Sequence, residues 1–138
     1  MIEITRDKID HDRVISCVKR DSNGAVVVFH GTTRNITEGR KVLHLEYEAY
    51  RPMADNKLSE AVLEIRQRWS VENIAIVHRI GKLNIGETSL VVAVSTPHRK
   101  DAFLACQYAV DRIKQTVPIW KKEYFEDGEV WVGSELSS

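Results

Sequence analysis

The sequence is short of the features that most often announce a function. It has no GxGxxG turn, no Walker loop and no GxSxG elbow, so dinucleotide, nucleoside-triphosphate and serine-hydrolase chemistry lose their usual supports. Its two cysteines, Cys17 and Cys106, form no CxxC or metal spacing. The histidines His11, His30, His44, His78 and His98 are scattered, with no i, i+4 pair of the kind that holds a metal on a helix. Charge of one sign is not in excess: twenty Lys and Arg face twenty Asp and Glu. That excludes a generally basic nucleic-acid coat and a block-charged disordered tail. The longest apolar runs, Ala25–Phe29 and Leu90–Val94, are five residues each and too short for a bilayer. Acidic residues fall among the first seven, where a secretory signal would be apolar. The expectation is a soluble, cytoplasmic protein without cofactor or metal, and its 138 residues suit one domain, residues 1–138.

The periodicity that is present reads as mixed α and β. Val14, Ile15 and Val18 recur at helical spacing within Asp10–Arg20, before a Ser22-Asn23-Gly24 turn. Gly24–His30 is β-branched and predicts a buried strand. Gly31–Arg40 is polar, with glycine near both ends, and reads as a long loop. Val42–Tyr50 alternates, placing Leu43, Leu45, Tyr47 and Ala49 on one face of a half-buried strand. Met53–Trp69 and Asp101–Gln115 carry apolar residues at threes and fours and predict helices, the first with Pro52 near its opening turn. Ile74–Ile80 and Ser89–Thr96 predict strands joined by a glycine-bearing connection, Gly81–Glu87. Ile119–Phe125 and Glu129–Val132 predict a hairpin about Glu126-Asp127-Gly128. The closing hairpin argues against an all-parallel sheet, so the fold class is α+β with a mostly antiparallel sheet.

Candidate chemistry rests on cations. Thr96-Pro97-His98-Arg99 stands where a strand gives way to a helix, with Thr96 as the expected cap and Pro97 at the first helical position. Such a junction is either a solvated turn or an anion site to which His98 and Arg99 add donors. Lys114 shares a helical line with Phe103 and Val110. A lysine there either snorkels to water or points into a cleft, where desolvation lowers its pKa. If Ile119–Phe125 is a strand, Lys121 and Lys122 face opposite ways, one toward a pocket and one outward; the alternative is a surface pair matched to Glu123. Arg34 lies in the polar Gly31–Arg40 segment, and loops of that length are often functional. Cys17 and Cys106 fall on apolar helical stripes, where a cysteine is ordinarily a small buried hydrophobe.

Five stretches together carry a resemblance: Gly24–Arg34 (GAVVVFHGTTR), Leu45–Met53 (LEYEAYRPM), Val77–Gly86 (VHRIGKLNIG), His98–Phe103 (HRKDAF) and Lys114–Glu123 (KQTVPIWKKE). In order and spacing the sequence resembles the large, catalytic subunit family of molybdopterin synthase along nearly its full length. The resemblance implies an α/β hammerhead-type fold with a small additional antiparallel subdomain. It implies a sulfurtransferase that turns cyclic pyranopterin monophosphate into the dithiolene of molybdopterin during molybdenum-cofactor synthesis. Sulfur would arrive as a thiocarboxylate on the C-terminal Gly-Gly tail of a small ubiquitin-like subunit, with two large subunits as the dimeric centre of a heterotetramer. The family's two active-site lysines fall on Lys114 and Lys121, its substrate-binding residues on Arg34, His98 and Arg99 as well, and its tail-channel residue on Phe29. Some relatives carry a basic residue, contributed across the dimer, soon after the late Trp-Val. Here Trp131-Val132 is followed by Gly133-Ser134-Glu135, which departs from that pattern and leaves the cross-dimer contact open. Two non-catalytic readings stand beside the enzyme, an anionic-ligand-binding module and a structural partner subunit. Loss of Lys114 separates them, since only the enzyme requires it.

Overall fold

The structure, a computed structural model, describes residues 1–132. Its elements run β1 (Ile2–Thr5), α1 (His11–Val18), β2 (Ala25–Thr32), β3 (Ile36–Thr37), β4 (Arg40–Ala49), α2 (Met53–Trp69), β5 (Asn73–Arg79), β6 (Gly81–Asn84), β7 (Thr88–Thr96), α3 (Arg99–Thr116), β8 (Ile119–Phe125) and β9 (Gly128–Val132). The first sheet has the order β1-β5-β7-β2, and only its β1–β5 pair is parallel. Its central strands β5 and β7 are apolar on both faces because both faces are covered. Ile74, Ile76, Val92 and Val94 pack with Leu58 and Ile65 of α2 and Ala105 and Ala109 of α3. Ala75, Val77, Val91 and Ala93 pack on the other face with Val14 and Val18 of α1. Full burial of a side chain such as Leu58 or Ile65 contributes about 1.5–3 kcal/mol.

The second sheet is antiparallel and centred on β4, with β8 and then β9 along one edge and β3 and β6 along the other. A small apolar cluster of Val42, Leu45 and Phe125 sits under it. Mixed α+β architecture with mostly antiparallel sheets is what the periodicity implies, and both long helices and the closing hairpin stand where it places them.

Five local readings need correction. The Gly24–His30 strand is not buried: β2 is the edge of the first sheet, its residues are half-buried or exposed, and Val26 is 39% exposed. The Gly31–Arg40 segment is not a free loop: β2 runs on to Thr32, and β3 pairs with the start of β4. Glu38 (φ 49°) and Gly39 (φ 77°) both take positive φ between them, as a tight two-residue hairpin turn requires. Gly81–Glu87 contributes β6, which pairs Leu83 with Leu45 and Gly81 with Tyr47. In β4 the pairing with β8 shifts between Val42 and His44, so Val42 turns inward and Leu43 stays 45% exposed. Thr96 does not cap α3: its Oγ1 donates to the His98 carbonyl at 2.5 Å, and the helix starts at Arg99 with His98 as N-cap. Gly133-Ser134-Glu135, where relatives place a basic residue, lies outside the described residues.

Candidate active site

Helix α3 and strand β8 deliver two lysines to one place. Ala102, Cys106, Ala109 and Ile113 press α3 against the first sheet, which leaves Lys114, one position past Ile113, on the flank of that contact. The helix ends one turn later, where the Val117 N–H donates to the Ile113 carbonyl at 3.1 Å. Pro118 then turns the chain into β8, and its carbonyl accepts from the Tyr50 N–H at 3.0 Å, which fixes the start of β8 beside the end of β4. In that register Lys121 is opposite Tyr47 and Glu123 opposite Leu45, on the inner face of the second sheet, while Lys122 points outward and pairs with Glu129 at 3.4 Å. The opposite orientation of the two lysines is the one the strand period implies.

Lys114, Lys121 and Phe29 line a narrow cavity of about 70 Å³ at the seam of the two sheets, together with Tyr47, His78 and Ser89. Burial lowers the Lys114 pKa, and the positive charges of Lys121 and Arg34 push it the same way against Asp111. Lys121 is 19% exposed at its side chain and sits 3.5 Å from the buried Glu123 carboxylate, so it combines a pocket position with the carboxylate pairing. Burial raises the Tyr47 phenol, with the Glu123 charge adding to it and hydrogen bonding to Ser89 opposing it. His78 is pushed down to about 4 by burial.

A second, wider cavity of about 450 Å³ adjoins the first, and Lys121 borders both. Arg34, Arg40, Glu123 and Phe125 contribute to its walls. Four of the six site residues expected from sequence, Phe29, Arg34, Lys114 and Lys121, are thus gathered around one pair of cavities. His98 and Arg99 are not. They are exposed at the opposite end of α3 from Lys114, and fifteen helical residues at 1.5 Å each put about 22 Å between Arg99 and Lys114. Cys106 is a core residue whose thiol burial pushes up to about 11, whereas Cys17 is only half-buried. Tyr47, His78, Ser89 and Glu123 join the site without having stood out in the sequence as members of it. His78 had a signal: it is a polar residue closing the apolar run Ile74–Val77, and such runs seldom bury an imidazole without a reason.

A protein-family model described as MoaE protein matches residues 4–116. The molybdopterin synthase catalytic subunit of Bacillus subtilis (strain 168) is 49% identical over 136 residues, covering 99% of this chain and 87% of that protein. The human molybdopterin synthase catalytic subunit is 44% identical over 135 residues, covering 98% of this chain and 72% of that protein. The crystal structure of molybdopterin synthase from Staphylococcus aureus superimposes with a TM-score of 0.90 at 48% identity, covering 94% of this chain and 95% of that one.

Proposed function

The chain belongs to the MoaE protein family, and from that premise we propose that it is the catalytic subunit of a molybdopterin synthase, transferring sulfur to cyclic pyranopterin monophosphate. The observation that carries this reading is the convergence of Lys114 and Lys121, from a helix and a strand in different layers, on one narrow cavity beside an arginine-bearing one. A catalytic subunit works with at least one other subunit, and the cavity pair suits a division between a donor tail and a substrate. The first cavity, of about 70 Å³, is the narrower of the two, and a tail ending in glycines brings no side chains into it. A volume of about 450 Å³ is within the range of small-molecule sites.

In this reading the thiocarboxylate sulfur of the tail attacks a substrate carbon that bears a cyclic-phosphate oxygen; that C–O bond breaks, its electron pair leaves on the opened phosphate, and the tail stays joined to substrate as a thioester. Water then cleaves the acyl C–S bond, releasing the tail as a carboxylate and leaving the thiolate on the pterin. The nucleophile comes with the partner, so no cysteine of this chain is required. Lys114 meets the acyl carbonyl and stabilises the oxyanion formed there, or passes a proton to it. Lys121, at the border of both cavities, holds the other side of the developing charge. Arg34 anchors the substrate phosphate. His98 and Arg99 cannot reach the same pterin from their own chain across about 22 Å of helix, so they serve the site of a second copy in a homodimer.

Lys114→Ala tests the reading. With thiocarboxylated partner in excess, product formation is lost, while thermal melting and partner affinity stay near those of the unsubstituted protein, because the truncation removes charge and little core volume. Turnover near the original rate would leave the two non-catalytic readings, ligand-binding module and structural subunit.

A further inference from the structure

One wall of the lysine cavity is built from side chains that play no part in the sulfur transfer above, namely Tyr47 of β4, His78 of β5 and Ser89 of β7. Ser89 is committed, since its hydroxyl donates to the Gly31 carbonyl at 3.2 Å. His78 is committed on one side only. Its Nδ1 lies 2.8 Å from the Arg79 carbonyl oxygen. That oxygen can only accept, so Nδ1 carries the ring hydrogen and donates it. Among the described residues Nε2 has no hydrogen-bond partner, Lys114 included, and its lone pair belongs to a ring that lines the cavity. The ring is held edge-on against Tyr47, with centroids 5.2 Å apart and planes at 68°. The two amines that share this cavity are hydrogen-bond donors; that of Lys121 lies 3.5 Å from the Glu123 carboxylate, while that of the half-buried Lys114 has no acceptor among the described residues.

We propose that His78 is a positioning residue for Lys114: once the tail occupies the cavity, the free Nε2 lone pair is the uncharged acceptor that takes the Lys114 amine and holds it toward the reacting acyl group. This rests on the reading of Lys114 as the residue that meets the acyl carbonyl. The choice of imidazole has a chemical reason. A carboxylate in the same wall would orient the amine but would also bind its proton tightly. A neutral ring orients it and leaves its proton loosely held. The ring stays neutral because burial, supported by the Lys114 charge and opposed by the Arg79 hydrogen bond, lowers its own pKa to about 4. The groups around Lys114 are Lys121 of β8, Arg34 beyond β2, Tyr47 of β4, His78 of β5 and Asp111 of α3 itself. Among these only Asp111, one turn back on the same helix, favours the ammonium form by its charge.

Two variants divide the ring's functions. His78→Asn places an amide donor where Nδ1 stood, keeping the bond to Arg79, and has nothing at the position of Nε2. His78→Gln reaches the position of Nε2 and restores an acceptor there. The assay is turnover of cyclic pyranopterin monophosphate by the full chain with its thiocarboxylated partner, across a pH series, with melting recorded in parallel. For His78→Asn the expected result is a fall in kcat of about tenfold, the scale of a misplaced catalytic group, with KM nearly unchanged. The limb of the kcat profile set by Lys114 moves to lower pH, since its ammonium has lost an acceptor. His78→Gln recovers most of kcat and returns the limb. A folded His78→Asn variant with unchanged kcat and unchanged limb overturns the proposal. If His78→Asn does not fold, His78→Gln decides: near-normal turnover supports the proposal, and a folded His78→Gln variant without turnover overturns it. Lys114→Ala, run alongside, separates the two levels. Retained turnover there removes the reading of Lys114 and this inference with it, whereas loss there with a fully active His78→Asn removes the inference alone.

Discussion

Single atoms decide much of what the cavity admits. A Cβ added at Gly31 would lie 3.3 Å from Cε1 of Phe29, 3.4 Å from Oγ of Ser89 and 3.5 Å from Cβ of Leu90. Phe29 is the neighbour that can give way, and because its ring lines the cavity its displacement alters the cavity's shape. Gly31→Ala is therefore expected to leave the melting temperature within a few degrees and to weaken binding of the small partner's tail several-fold, measured as the affinity difference between full-length and tail-truncated partner. An unchanged difference would place the tail elsewhere. His78 makes a second prediction at this scale. Its folded pKa of about 4 lies below the ordinary 6.5 of the unfolded chain. Above the unfolded value both states are neutral and the buried ring contributes fully. As pH falls from 6.5 toward 4 the unfolded chain takes up a proton that the folded one refuses, and stability declines by up to about 3 kcal/mol. His30, lowered by burial and by His11, acts in the same direction. Urea unfolding across this window should show the decline, and His78→Asn should flatten it.

At the scale of elements, α2 and α3 are joined above the first sheet by a polar clasp. Glu64 of α2 accepts from Arg112 Nε and Nη2, both at 3.0 Å, and from the Tyr108 hydroxyl. Both charged side chains are a third exposed, so Glu64→Ala is expected to cost only about 1 kcal/mol in urea unfolding, toward the upper end for exposed pairs because the contact is bidentate. A loss of several kcal/mol would mean the clasp is buried in an assembly. The elements also show what sequence can and cannot reveal. Helices α2 and α3 are long enough for their apolar period to declare them, and β5 and β7 declare themselves by continuous apolar runs. Strands β1, β3 and β6 have two to four residues each, with charged or polar members, and exist because a distant strand offers its edge. No local pattern encodes that partner. The bulge at Val42 and His44 is of the same kind, because it is a property of the pair β4–β8 and exchanges Leu43 for Val42 on the inner face. The lysines were legible as residues on lines and faces. That Arg34 shares their neighbourhood while His98 and Arg99 do not depends on packing between layers.

For the whole molecule, the separation of Arg99 from Lys114 makes a prediction about assembly. If each site takes Lys114 from one copy and Arg99 from the other, a mixed dimer of Lys114→Ala and Arg99→Ala chains contains one intact site. Equal mixing and re-equilibration of the two inactive variants should then restore about a quarter of the unsubstituted turnover, since half the dimers are mixed and half their sites are intact. No recovery would place both residues in the same chain's site. The connection between α3 and β8 carries a further consequence. Lys114 and Lys121 are seven positions apart, and Val117 and Pro118 are the whole link between their elements. The entropy lost in closing a chain segment grows with the logarithm of its length, so joining two groups eighty positions apart, as Arg34 and Lys114 are, costs about 2 kcal/mol more than joining two that are seven apart. A chain that loosens therefore parts with the guanidinium of Arg34 before it parts the two amines.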